Sequence, residues 1–188
     1  AGRARPAARA RRGGGDVSTP TRALTVWQPW ASMIAADVKR IENRTWRPPL
    51  ESLGPLQLLA IHAAAAPVKR REVEACRLAA AEWCAVTKRG LPHGLGPIDH
   101  GKIIAVVTVT GWTDRAVTLP TDQQPWWSGP LAWTFEDIVR LRTPISATGA
   151  QGCWKIPAFL LKPLADAMLD AAFESQAPAR GETGGAGA

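Results

Sequence analysis

The sequence predicts an α+β domain in which a small mixed β-barrel carries two to three flanking helices. Three observations lead there: six or seven short strand-like segments, two substantial amphipathic helical stretches, and a third helical stretch near the end. At 188 residues the chain is long enough to bury one core without staples.

Taken in order, "LTVW" (24–27) is a short strand, and "QPWASMIAADV" (28–38) a helix with Pro29 in its first turn, where a missing N–H costs nothing. Residues 39–46 form the second strand. After the turn-rich "RPPLESLGP", the unbroken apolar run "LQLLAIHA" (56–63) reads as a strand buried on both faces. Residues 67–90 open with proline and close on glycine, and Cys76, Ala79, Ala80, Trp83 and Val86 make one apolar helix face. "GKIIAVVTVTGWT" (101–113), rich in β-branched residues, is the strongest strand. Strands over 126–138, 139–146 and 152–157 follow, and a helix over 163–173 closes the domain.

Domain boundaries follow from composition. The first twenty residues set five arginines among Ala, Gly and Pro against Asp16 alone, and the segment 174–188 is equally poor in core formers. Both are expected to be disordered tails around a domain spanning 21–173. Of the formal net charge of +7 the first twenty residues hold +4, the much longer body another +4 and the last tail −1, so the body is only mildly basic. No run of eighteen apolar residues exists, so no membrane span is expected, and the arginine-rich start lacks the apolar stretch of a secretory signal. The expectation is a soluble, cytoplasmic protein. Three cysteines, Cys76, Cys84 and Cys153, with no C-x-x-C pair argue against a disulfide framework and a zinc site. His93 and His100 flank a Gly/Pro loop and read as solvated, so neither metal nor cofactor is expected.

The segment "VKRIENRTW" (38–46) raises the functional question, because it crowds Lys39, Arg40, Glu42 and Arg44 onto one short strand. Alternation places Arg40, Glu42, Arg44 and Trp46 on one face and Ile41, Asn43 and Thr45 on the other. Such a face is either a solvated ion cluster or a site for a polar ligand. Lys69, Arg70 and Arg71 pose the same choice at a helix start, where the dipole opposes cations: a solvated turn or a phosphate contact. The aromatic ratio is unusual as well. Nine Trp stand beside three Phe and no Tyr, and an indole serves a core or stacks on a nucleobase. Trp27, Trp83 and Trp154 read as structural, whereas Trp126 and Trp127 fall in a loop, with Trp127 the better candidate base platform.

Several stretches in a fixed order resemble the ASCH domain family of the PUA-like superfamily: "LTVWQPWASMI", "DVKRIENRTWR", "LLAIHAA", "GKIIAVVTVTGW", "WSGPLAWTFEDI" and "PISATGAQGCWKIP", together covering roughly 23–157. Family members show G-x-K-x-x-E-x-R at the second strand. Here Lys39, Glu42 and Arg44 fill the charged positions, and Asp37 stands where the glycine usually does. The resemblance implies a PUA-like pseudo-barrel with a cleft beside the first helix, lined by Lys39, Glu42 and Arg44, that reads a nucleotide or nucleic acid, RNA foremost. In that cleft Lys39 and Arg44 would neutralise phosphate, Glu42 would accept from an exocyclic amine or orient Arg44, and Trp30 or Trp133 would supply a stacking wall. His62 is expected either to face the same cleft or to be a hydrogen-bonded core residue.

The alternative is a hydrolase. Some relatives look like amidohydrolases of acylated cytidine that use a lysine and a threonine three residues on, but Glu42 occupies that second position here and is no hydroxyl nucleophile. Others are described as ribonucleases, for which Lys39 and Glu42 would serve as acid and base with Arg44 as phosphate clamp. A peptide-binding module ranks below both. The expectation leans to a non-enzymatic nucleic-acid reader, and oligomeric state is left open.

Overall fold

In the computed structural model the described residues are 18–92 and 99–175; His93 and most of both tails lie outside them. Strands β1 (Arg22–Val26), β2 (Ile41–Arg44), β3 (Leu58–Ala63), β4 (Lys102–Thr113), β5 (Leu131–Ser146) and β6 (Cys153–Lys155) form one sheet in the order β2-β5-β4-β3-β1-β6. Only β1 and β3 run parallel; the other neighbours are antiparallel. Helices α1 (Trp30–Ala35), α2 (Arg70–Thr87) and α3 (Ala158–Ser175) accompany the sheet. Among the described residues no helix is long and apolar enough to cross a membrane.

The sheet curls because its two longest strands do not stay in register. The β4–β5 ladder shifts near Ile103, Val106 and Val109, and the extra residues at each shift, one at the latter two and three at the first, bend and twist the pair. One such residue is Asp137, in the left-handed region at φ 47°. For that reason 131–146 is a single bent strand, where the sequence suggests a break at 138. The segment Thr121–Trp126 is a 3-10 turn, and the strand after it starts at Leu131 rather than at 126. Helix α3 begins at Ala158, so Pro163 lies inside it rather than opening it.

Three apolar clusters hold these parts together. Leu24, Ile34, Ile61, Val107, Trp133 and Phe135 pack α1 into the concave sheet. Ala23, Ile103, Leu141, Ile156 and Leu164 seat α3 against the other face. The third cluster is the one that shapes the site: Cys76, Ala80 and Trp83 of α2 meet Met33, Ile41, Leu119 and Trp126. Helix α2 thus rests on α1, the sheet edge and the 3-10 turn, not on a broad sheet face. It outruns this support, leaving Val86 exposed despite its place in the apolar pattern. A gap opens along its flank.

His62 of β3 is buried within the core, with its ring edge-on to Trp154 at 5.6 Å. The Ala147 carbonyl lies 3.0 Å from Nε2, which must donate to it, and the Thr25 hydroxyl lies 3.2 Å from Nδ1. The loop after β5 lies directly on this ring: a Cβ at Gly149 would stand 2.4 Å from Cε1 of His62 and 2.8 Å from the Thr25 hydroxyl. Glycine is required there for space. Gly149→Ala is expected to destabilise the fold by about 2 kcal/mol through overpacking, read as a lowered urea midpoint at unchanged slope; an unaltered midpoint would mean that the loop can lift off the ring freely.

Candidate functional site

The site is built on the return from α1 to β2. The N–H groups of Val38 and Lys39 both donate to the Met33 carbonyl, and Asp37 takes the left-handed conformation, φ 57°, that this tight return demands. An Asp can hold it because its side chain finds a local partner: the Asp37 carboxylate accepts from Arg40 at 2.6 Å. That exposed pair draws Arg40 outward. Regular alternation begins only at Ile41, so Arg40 does not share a face with Glu42, and Lys39 turns inward instead.

Lys39 is only 1% exposed. Its ammonium donates to Glu42 at 2.7 Å and to the Ile41 carbonyl at 2.5 Å. The other oxygen of Glu42 lies 3.2 Å from Nη2 of Arg44, which also donates to the Thr25 carbonyl at 2.7 Å. One carboxylate is thus held between two cations, and the cluster ties the α1 turn, β2 and β1 together. Burial makes the arrangement mutual: removing one member of such a set strands the others, at a cost of about 3–5 kcal/mol for a fully buried pair.

Two adjoining hollows flank this cluster. The larger, about 550 Å³, lies between α2 and residues 125–128 and is bordered by Lys39, Glu42, Glu72, Glu82, Trp30 and Trp127. The smaller, about 380 Å³, is bordered by Trp27, Arg44, Lys69 and Arg71. Trp30, Glu42, Asn43 and Glu72 border both. The Trp30 indole N–H donates to Glu72 at 2.9 Å, and the Lys39 ammonium sits 5.9 Å from the Trp30 ring centre, so α1, α2 and the ion cluster fix one another. Cys76 lies on the buried side of α2, where burial pushes its thiol up to about 11; it stays protonated and is no nucleophile at neutral pH.

Asn43 locks the far wall. Its Nδ2 donates to the Trp126 carbonyl at 2.8 Å, and its Oδ1 accepts from the Ser128 N–H at 3.1 Å. The two bonds bracket Trp127 on both sides along the chain.

With this geometry in view, the comparisons with known proteins decide the lineage. A model of the ASCH domain matches residues 24–138. The chain belongs to the ASCH domain family. Solved structures similar to this ASCH domain include the ASCH protein of Zymomonas mobilis, 11% identical over 81% of this chain and 93% of that one, TM-score 0.40. A serine-to-alanine variant of it is 14% identical over 78% and 97%, TM-score 0.40, and a tyrosine-to-phenylalanine variant 13% over 77% and 96%, TM-score 0.41. No curated protein matches. The six-stranded sheet with its helices gives this ASCH domain a mixed α+β architecture.

Of the residues singled out in the sequence, Trp30, Lys39, Glu42, Arg44 and Trp127 converge on the two hollows. Trp133 does not: it is 0% exposed, edge-on to Trp46 at 4.6 Å, with its N–H donated to the Trp46 carbonyl. It has no face left for a ligand. His62 borders neither hollow, being sealed under the 147–150 loop. Trp126 is buried, edge-on to Trp30, and borders the larger hollow from within the core rather than from an open loop. Sequence reasoning missed Trp27, which is 39% exposed instead of buried in its strand, and it missed Asn43, Glu72 and Glu82. The 3-4-3 spacing of Glu72, Ala75, Ala79 and Glu82 on one helix flank was a signal available to it.

Asn43→Ala is expected to lower stability by about 1–2 kcal/mol and to raise the quenching of tryptophan fluorescence by acrylamide, as Trp127 loses its bracket. Unchanged quenching would mean that the segment is held by other contacts. Burial lowers the His62 pKa below its ordinary 6.5, against a smaller raising effect of the Ala147 carbonyl. The unfolded chain therefore binds this proton more readily, so the stabilisation is complete above about pH 6.5 and is lost as pH falls through the lower folded value. The melting temperature of the parent protein should fall more steeply below pH 6.5 than that of His62→Gln; parallel profiles would remove His62 as the cause.

Proposed function

We propose that this ASCH domain reads an unpaired nucleobase of a nucleic acid, RNA foremost, and holds it without chemical change. The observation that carries the reading is the larger hollow, which sets the Trp30 and Trp127 indoles beside the acceptor oxygens of Glu42, Glu72 and Glu82. An indole offers a π-face to any base, and carboxylates accept from exocyclic amines and ring N–H groups. A base reaches a hollow walled on two sides only when it is free of its own pairing partner, which favours single strands and loops.

Binding fits the geometry better than hydrolysis. A general acid or base must reach the proton it moves, yet the Lys39 ammonium is engaged by Glu42 and the Ile41 carbonyl, and both Glu42 oxygens lie against cations. No hydroxyl stands three residues after Lys39 to serve as nucleophile. The cluster is a rigid acceptor and cation array.

Fluorescence polarization with labelled single-stranded RNA, single-stranded DNA and duplexes tests the reading. Single-stranded RNA is expected to bind best and to be recovered intact, and Trp127→Ala to weaken it by about tenfold, within the ~1–3 kcal/mol of one base–aromatic stack. Failure of every oligonucleotide to bind, or a Trp127→Ala protein that binds as the parent does, would sink it.

A further inference from the structure

We infer that the smaller hollow is a phosphate subsite, so that the ligand enters as a nucleotide within a chain and not as a free nucleoside. The inference rests on the base-reading role of the larger hollow and assigns the polarity of whatever occupies the pair. Charge separates the two sides. Around the larger hollow stand the carboxylates Glu42, Glu72 and Glu82, with Lys39 the only cation among its bordering residues. Around the smaller one stand Arg44, Lys69 and Arg71, opposed by Glu42 and Glu72 alone. Both of those carboxylates are already engaged. Glu42 lies between Lys39 and Arg44; Glu72 accepts from the Trp30 indole at 2.9 Å and from Nε of Arg71 at 3.2 Å.

A phosphodiester is repelled by the first set and attracted by the second. Each cation is also presented differently. Lys69 makes no ion pair among the described residues; its ammonium rests 4.1 Å from the ring centre of the half-open Trp27, which holds the charge at the lip of the hollow. Arg44 is anchored through Nη2 to Thr25 and Glu42, and its buried Nε has no partner among the described residues. Its guanidinium is thereby fixed in the wall, with planar fork geometry suited to phosphate oxygens. Arg71 is mostly exposed, and its single pair with Glu72 is a surface contact that leaves the rest of the guanidinium open to an incoming anion. Glu42 and Asn43 form the boundary between the sides, so a base held in the carboxylate hollow has its own backbone phosphate next to the cations.

Lys39, by contrast, is no phosphate ligand: its ammonium is buried and already engaged by Glu42 and the Ile41 carbonyl. Basic residues at the start of α2, unfavourable for the helix itself, acquire a reason for being there.

The test titrates the full chain with the four ribonucleosides, their 3′- and 5′-monophosphates and a short single-stranded RNA, following tryptophan fluorescence, in the parent protein and in a Lys69→Ala/Arg71→Ala double variant. Both positions are exposed, so the variant is expected to fold as the parent does. One of the two monophosphates is expected to bind at least about tenfold more tightly than its nucleoside, the gain of one charge-assisted phosphate contact. In the double variant that gain disappears and nucleoside affinity is unchanged. The dependence of log K on log salt for RNA flattens by about 0.7 for each lost contact. Equal affinity for nucleosides and both monophosphates, or a double variant that binds RNA with the parent's affinity and salt slope, overturns the phosphate subsite and leaves base reading standing. Failure of RNA and every nucleotide to bind the parent protein overturns both.

Discussion

A carboxylate that folding removes from water must be neutralised at once, and the architecture of this domain is arranged around that demand at Glu42. Lys39 approaches from the α1 turn and Arg44 from two residues along β2, one on each oxygen. Neither cation is available from the sheet interior, whose facing residues are apolar. Both therefore come from the same short stretch, and the stretch must leave regular geometry to deliver them: Asp37 turns left-handed, and the strand starts at Ile41 instead of Lys39. Because Arg44 continues to the Thr25 carbonyl, the cluster also pins the edge strand to β1. Replacing such a cluster by apolar residues would often be neutral for stability, so stability alone does not account for it.

The second determinant is where α2 rests. A helix laid flat on a sheet leaves no room between them, but α2 is supported by α1, the edge strand and the turn before β5, with Trp83 and Trp126 filling that contact. An edge strand has both faces and one flank unpaired. Glu42 and Asn43, on opposite faces of β2, can therefore border the same space. Among the described residues the buried indole N–H groups of Trp83 and Trp126 find no partners, so this contact is tolerated at some cost in polar satisfaction.

Much of this was legible in the sequence, and the exceptions have physical causes. Element types followed from periodicity: the β-branched run of β4, the apolar run of β3 and the amphipathic stripe of α2 each announce themselves. The bent β5 did not, because a bulge such as that at Asp137 looks like a strand end in one dimension. The charged cluster was visible as composition, but its pairing was not. Strict alternation placed Arg40 beside Glu42, and it failed because a left-handed residue upstream resets the phase of everything before Ile41. The roles of the tryptophans were the least legible. Trp133 lies in a strand, Trp27 at the end of one, and nothing in their neighbours tells that the first is fully enclosed while the second stands open under a lysine.

Preorganisation is what unites the site. Trp127 sits in a segment between a 3-10 turn and β5, a place where a large aromatic would ordinarily sample many positions and forfeit its ordering entropy on contact with a ligand. Asn43 removes that freedom by satisfying the backbone groups on either side of it. Trp30 is held through Glu72, and Lys69 by the Trp27 ring. Each contact element is thus fixed by a neighbour that is itself part of the wall. A surface ion cluster exposed to water has no need of such bracing, since its energy hardly depends on geometry. Bracing matters where a guest is distinguished by a few tenths of an ångström, and the proposed base reading would put that demand on this asparagine, helix acid and half-open indole.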